Sequence, residues 1–156
     1  MAMEISATCD YAIRAMIDLG SLPEDVPALR SQVAERQGIP PSYMAKILRR
    51  LVQAGLLNST RGTHGGFTLA RPAETITLLD IVESIDGAVL PAQCTNHDSG
   101  CRWADTCPGA LWWPDIQLKV RSALREVALE SLLTSRRRSG RIAVHGQNGC
   151  RVASGL

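Results

Sequence analysis

Two prolines fix the middle of this chain. Gly38-Ile39-Pro40-Pro41 stands between two short stretches of helical patterning. Proline fits the first turn of a helix and little else of it. One helix therefore stops at Gly38 and another starts near Pro41. The earlier one spans roughly 28–37 (ALRSQVAERQ). The later one runs PSYMAKILRRLVQAG, with Met44, Ile47, Leu48 and Leu51 as its apolar stripe and Gly55 as its end.

The flanking segments extend this pattern. Apolar residues at Ile5, Cys9, Ala12, Ile13, Met16, Ile17 and Leu19 give a helix over 4–20 with one buried face. Asp10 and Arg14, four apart, form a surface pair on another face. Beyond Gly55, β-prone pieces at 56–60 and 67–70 bracket Gly62, Gly65 and Gly66, a hairpin signal. Thr77 and Asp80 form a capping box that opens the helix LLDIVESID, closed by Gly87. A long helix is expected over 109–133, kinked or truly started at Pro114, with Ile116, Val120, Ala123, Leu124, Val127 and Leu132 on one stripe.

Three short helices followed by a hairpin match the order of a winged helix-turn-helix. A DNA major groove accepts one helix, whose N-terminal side chains reach the base edges. Here those are Ser42, Tyr43, Ala45, Lys46 and Arg49, all off the apolar stripe. Ser42 and Tyr43 suit phosphates or bases, Lys46 and Arg49 add charge, and Arg61 at the hairpin tip would reach the minor groove. The sequence alone also allows a solvated face for the cations and interhelical packing for Tyr43. Net charge is only +2, so it is the placement of Arg49, Arg50, Arg61 and Arg71, not the total, that argues for nucleic acid.

The chain has 156 residues with three Trp, two Tyr and one Phe, which favours a small helical protein over an aromatic-rich β-sandwich. The N-terminal sequence MAMEISATCDYAIRAM is not a signal peptide, and no apolar stretch approaches the ~20 residues of a membrane span. A soluble cytoplasmic protein with reduced thiols is expected.

Three of the five cysteines, Cys94, Cys101 and Cys107, lie in a stretch without periodicity, spaced C-x6-C and C-x5-C. Zinc sites usually carry closer pairs, whereas a larger iron–sulfur cluster suits wider spacing. A cluster normally takes four protein ligands, so one is missing from this segment. His97 and His64 are minor candidates. Cys9 sits on the core face of the first helix as a small hydrophobe, and Cys150 lies in an Arg-, Gly- and Ser-rich tail.

Several motifs together resemble the IscR/NsrR/RirA family of winged-helix iron–sulfur regulators over roughly residues 3–134. They are D-Y-A-I-R-A at 10–15, I-P-P-S-Y-M-A-K-I-L at 39–48, R-G-x-x-G-G-F-x-L-A-R-P at 61–72, I-T-L-L-D-I-V-E-S-I-D-G at 76–87, and the three cysteines. The resemblance implies a homodimer joined through the helix at 109–133, a cluster near that interface, and control of transcription. It also bears on the fourth ligand. In the IscR branch a histidine three residues past the last cysteine binds a 2Fe–2S cluster, but that position here is Ala110. In an NsrR-like branch the aspartate of a D-x-A-x-R motif completes a 4Fe–4S site from the partner subunit. Asp10 matches that position, so 4Fe–4S is favoured and 2Fe–2S stays open.

The expected organisation is a DNA-binding domain over 1–87, a cluster loop over 88–108, a dimerisation helix over 109–134 and a disordered tail over 135–156. The expected function is a cluster-dependent regulator acting on a double-stranded operator, a repressor sensing nitric oxide, iron or redox state. A zinc-stabilised DNA-binding module without sensing is the alternative. No flavin or nucleotide motif supports an oxidoreductase, and no enzyme activity is expected.

Overall fold

A computed structural model describes residues 5–23, 26–62, 65–90 and 106–139. Helix α1 (Ala7–Gly20) starts where the Ser6 hydroxyl accepts from the Cys9 amide at 3.1 Å. That start lies three residues past the sequence expectation, because Ser6 and not the first apolar residue sets the boundary. Helix α2 (Arg30–Gln37) ends at Gly38, whose φ of 64° is a left-handed conformation suited to glycine. Helix α3 (Pro41–Gln53) begins on its proline and buries Met44, Ile47, Leu48 and Leu51, the stripe read from the sequence.

Strands β1 (Leu57–Thr60) and β2 (Gly66–Leu69) pair antiparallel, Leu57 opposite Leu69 and Thr60 opposite Gly66. Ala28 adds an isolated bridge to Phe67, with reciprocal backbone bonds of 3.1 and 2.9 Å, so the segment before α2 flanks the hairpin. Gly66 must be glycine there. Its φ is 152°, and a Cβ would lie 2.7 Å from the Ala28 carbonyl oxygen. Helix α4 (Leu78–Asp86) opens with the expected capping box: the Thr77 hydroxyl accepts from the Asp80 amide, and the Asp80 carboxylate accepts from the Thr77 amide.

The stretch expected as one long helix is broken. A 3-10 turn (Pro108–Leu111) leads into α5 (Trp113–Glu126), with Pro114 in its first turn, and α6 (Leu129–Ser139) follows separately. Val127 takes an extended conformation (φ −90°, ψ 102°), and Ala128 bridges Thr77. The Leu78 amide donates to the Val127 carbonyl and the Leu129 amide to the Ile76 carbonyl, both at 2.8 Å. Pairing with the lead-in to α4 replaces the helical bonds, a long-range choice that periodicity does not encode. α6 also passes Ser135, where the sequence suggests a tail. Leu129 and Leu133 are buried, and the helix-favouring arginines beyond them let it continue. The rest of the expected tail, 140–156, lies outside the described residues.

The core gathers one face of each helix, although α5 has no fully buried residue and meets the core through half-buried Val120 and Leu124. Met16, Met44, Leu48, Leu51, Ile81 and Leu129 are among its fully buried side chains. Two polar clamps tie α1 to α2. Buried Asp18 accepts from Arg36 Nε and Nη2 and from Gln37 Nε2 at 2.7–3.2 Å. The Arg14 guanidinium donates to the Gln37 carbonyl at 2.9 Å.

Candidate nucleic-acid interface and cysteine segment

The outer face of α3 carries an exposed stripe. Ser42, Lys46 and Arg49 all lie on the solvent side, at spacings of four and three that stack them along one line. Pro41 fixes the start of the helix, and Met44, Ile47 and Leu48 hold the opposite face in the core. Among the described residues Lys46, Arg49 and Arg61 form no salt bridge, whereas Arg14, Arg36, Arg71, Lys119 and Arg121 each pair with an acid. Unneutralised cations on an exposed helix face match a polyanion.

Two of the four flanking arginines have internal tasks instead. Arg50 donates to the Ile85 carbonyl at 3.0 Å. Arg71 lies 3.5 Å from the Asp80 carboxylate and bonds the Thr75 carbonyl. Tyr43 is half-buried and turned towards α1: its hydroxyl bonds Thr8, and its ring meets Tyr11 edge-on at 5.9 Å. Of the two roles the sequence allows for Tyr43, interhelical packing is the one these contacts describe.

Arg61 is exposed directly after β1. The Gly65 amide donates to the Gly62 carbonyl at 3.0 Å, and a Cβ on Gly65 would collide with the Thr60 carbonyl oxygen. A shallow pocket opens between the hairpin and the start of α2, lined by Arg30, Ser31, Ser59, Thr60 and Gly62. Arg30, the first residue of α2 and exposed beside the bridged hairpin, adds a cation to this face that the sequence reading does not single out.

Of the cysteine segment, Cys94, Cys101 and the neighbouring His97 lie outside the described residues, as does His64 in the hairpin. Cys107 is described: a half-buried free thiol on the residue just before the 3-10 turn that leads into α5, with no side-chain cap bond. Asp10 is exposed on the first turn of α1 and pairs with Arg14 at 3.8 Å, the surface pair the sequence suggests. That contact is long and leaves the carboxylate open to another partner. A half-buried thiol and an exposed carboxylate have the donor chemistry an iron centre takes. Among the described residues no three His, Cys, Asp or Glu side chains converge.

Cys9 differs from Cys107. It is fully buried, and burial, followed by the nearby carboxylates of Asp86 and Asp10, pushes its thiol up to about 12. Such a thiol stays protonated at neutral pH and is a poor metal ligand.

Comparison with known proteins gives a consistent result. Residues 5–135 match the Rrf2 family, described as "Iron-dependent Transcriptional regulator". The chain is 31% identical over 131 residues to the HTH-type transcriptional regulator IscR of Xenorhabdus nematophila, covering 84% of this chain and 79% of that one. Identity to the IscR of Photorhabdus laumondii is 29% over 133 residues, 85% of this chain and 80% of that one. Among solved structures, CymR, the global cysteine regulator of B. subtilis, superposes with a TM-score of 0.69 at 26% identity, covering 86% of this chain and 98% of that one. The IscR of T. potens has the same TM-score at 24% identity, covering 92% and 93%, and so bears on the fold alone.

Proposed function

The chain belongs to the Rrf2 family of transcriptional regulators, and from that premise we propose that it is a homodimeric repressor whose hold on its operator depends on an iron–sulfur cluster. The family is one of DNA-binding regulators, not enzymes. The observation that carries the cluster is the run Cys94, Cys101 and Cys107 in a chain whose family is described as iron-dependent. The three thiolates supply most of the affinity, and Asp10 from the other subunit supplies the fourth ligand, which favours 4Fe–4S over 2Fe–2S. A carboxylate holds iron less tightly than thiolate, so one corner of the cluster is open to nitric oxide, oxidant or iron loss. The bound cluster supplies a reactive centre whose loss alters the protein around it.

Ser42, Lys46 and Arg49 of α3 enter the major groove, Arg61 reaches the adjacent minor groove, and Arg30 meets the flanking backbone. The domain assignment follows: DNA binding over 1–87, the cluster loop over 88–108, and dimerisation over 109–134. Exposed apolar residues Leu111, Trp112 and Leu118 support the dimer, since they surround a helix with no buried residue of its own. Among the described residues no helix is long and apolar enough to cross a membrane, and a regulator of this kind works in the cytoplasm.

Anaerobic purification of single-cysteine variants tests the ligand set. Cys94→Ala, Cys101→Ala and Cys107→Ala should each lose stable iron and sulfide, while Cys9→Ala and Cys150→Ala keep them. Full iron content in Cys101→Ala would remove the assignment. Stoichiometric zinc in colourless wild-type protein would favour the zinc-stabilised module instead.

A further inference from the structure

The last turn of α4 touches two other helices through polar bonds. On one side, the Ile85 carbonyl accepts from the Arg50 guanidinium of α3 at 3.0 Å. On the other, the Glu83 carboxylate forms a partly buried ion pair with Arg121 of α5. The same Glu83 oxygen accepts from the Val89 amide at 3.4 Å, and Gln117 of α5 donates to the Val89 carbonyl at 2.9 Å. Glu83 and Ile85 are two residues apart, so one rigid turn of helix holds α3 at one end and α5 at the other.

We propose that Arg50 is a positioning residue for DNA recognition, which sets the pose of α3 on the end of α4 and, through Glu83 and Arg121, couples that pose to α5. Three considerations carry this. Arg50 is adjacent to Arg49, yet its donor is already used on a carbonyl in the last turn of a helix, where partial negative charge favours a cation. Arginine's planar, permanently charged guanidinium loses little freedom when one N–H is bound, so the bond to the carbonyl persists at any working pH. Finally, α5 rests on the core through half-buried Val120 and Leu124, a slidable apolar contact, and its polar bonds to Glu83 and Val89 add direction to that placement.

The inference needs only the DNA-binding role, so its failure is separable from failure of the cluster reading. The probes are a duplex selected from a random pool by the wild-type protein and a scrambled duplex of the same composition. A direct phosphate contact contributes about one unit to the slope of log affinity against log salt. Arg49→Gln should flatten the slope by about that amount on both duplexes. Arg50→Gln should leave the slope unchanged and lower the preference for the selected duplex about tenfold, a coupling of the size found between groups in one network. Arg50→Lys, which retains a donor for the Ile85 carbonyl, should recover part of that preference. Arg121→Gln, on a different helix from the recognition residues, should lower the same preference, and the double variant should be no worse than Arg50→Gln alone. A flattened slope in Arg50→Gln, unchanged preference in Arg121→Gln, or additive losses in the double variant would overturn the proposal. Thermal melts identify a variant that fails to fold, and the Arg50→Lys and Arg121→Gln comparisons then decide the matter.

Discussion

Cys9 and Cys107 are both free thiols, and burial separates them. Iodoacetamide at pH 8 should label Cys107 in native, cluster-free protein and leave Cys9 untouched until the chain unfolds; rapid labelling of native Cys9 would contradict its place in the core. Its raised pKa also fixes a sign. Between pH 9 and about 12 the unfolded chain releases the Cys9 proton while the native chain retains it, so native stability falls as pH rises through that window. Cys9→Ala should remove that part of the alkaline loss in a pH series of denaturation curves. Gly66→Ala should destabilise the protein by about 2 kcal/mol, because it forces a Cβ onto the Ala28 carbonyl at a positive φ. Native-like melting of that variant would show that the Ala28 segment yields. At this scale the sequence made the core role of Cys9 legible, since helical spacing placed it on the apolar face. The inward turn of Tyr43 was not legible, because a tyrosine suits a DNA face and an interhelical seam equally well.

The helix-turn-helix was readable because its signals are local: a proline pair, a terminating glycine and an apolar stripe all act within one or two turns. The capping box of α4 is local in the same way, and Thr77→Ala should cost about 1 kcal/mol in a denaturant titration. The break between α5 and α6 is different in kind. Nothing near Val127 or Ala128 forbids helix, and the deciding bonds come from Ile76 and Leu78, some fifty residues earlier. The same limit hid the internal tasks of Arg50 and Arg71, whose partners lie on other elements or across a turn. Arg61→Ala tests the wing: it should weaken operator binding by about 1–3 kcal/mol if the side chain reads a base edge. An unchanged operator affinity would remove the hairpin from the interface.

On the scale of the whole molecule, five helices bury residues in one core, and α5 lies against it through half-buried Val120 and Leu124 only. Exposed Leu118 and Trp112 give that helix an apolar surface suited to a second copy. Leu118→Glu should yield a folded monomer by sedimentation, with the melting of the core little changed; a persistent dimer would move the interface elsewhere. If the dimer brings Asp10 of one chain to the thiols of the other, mixing Asp10→Ala with a triple Cys94, Cys101 and Cys107 variant should restore one normal site per heterodimer. Sensing and dimerisation would then depend on each other, since loss of the cluster frees α1, and α1 is clamped to the end of α2 by Arg14 and Asp18. The central claim is most directly tested by purifying the wild-type chain without oxygen, measuring iron and sulfide per chain, and comparing operator affinity before and after the cluster is destroyed by nitric oxide. The account predicts a brown protein with one cluster per chain and an affinity that changes at least tenfold on its loss, about 1.4 kcal/mol or more of coupling. A colourless protein, or one whose affinity is the same in both states, would contradict it.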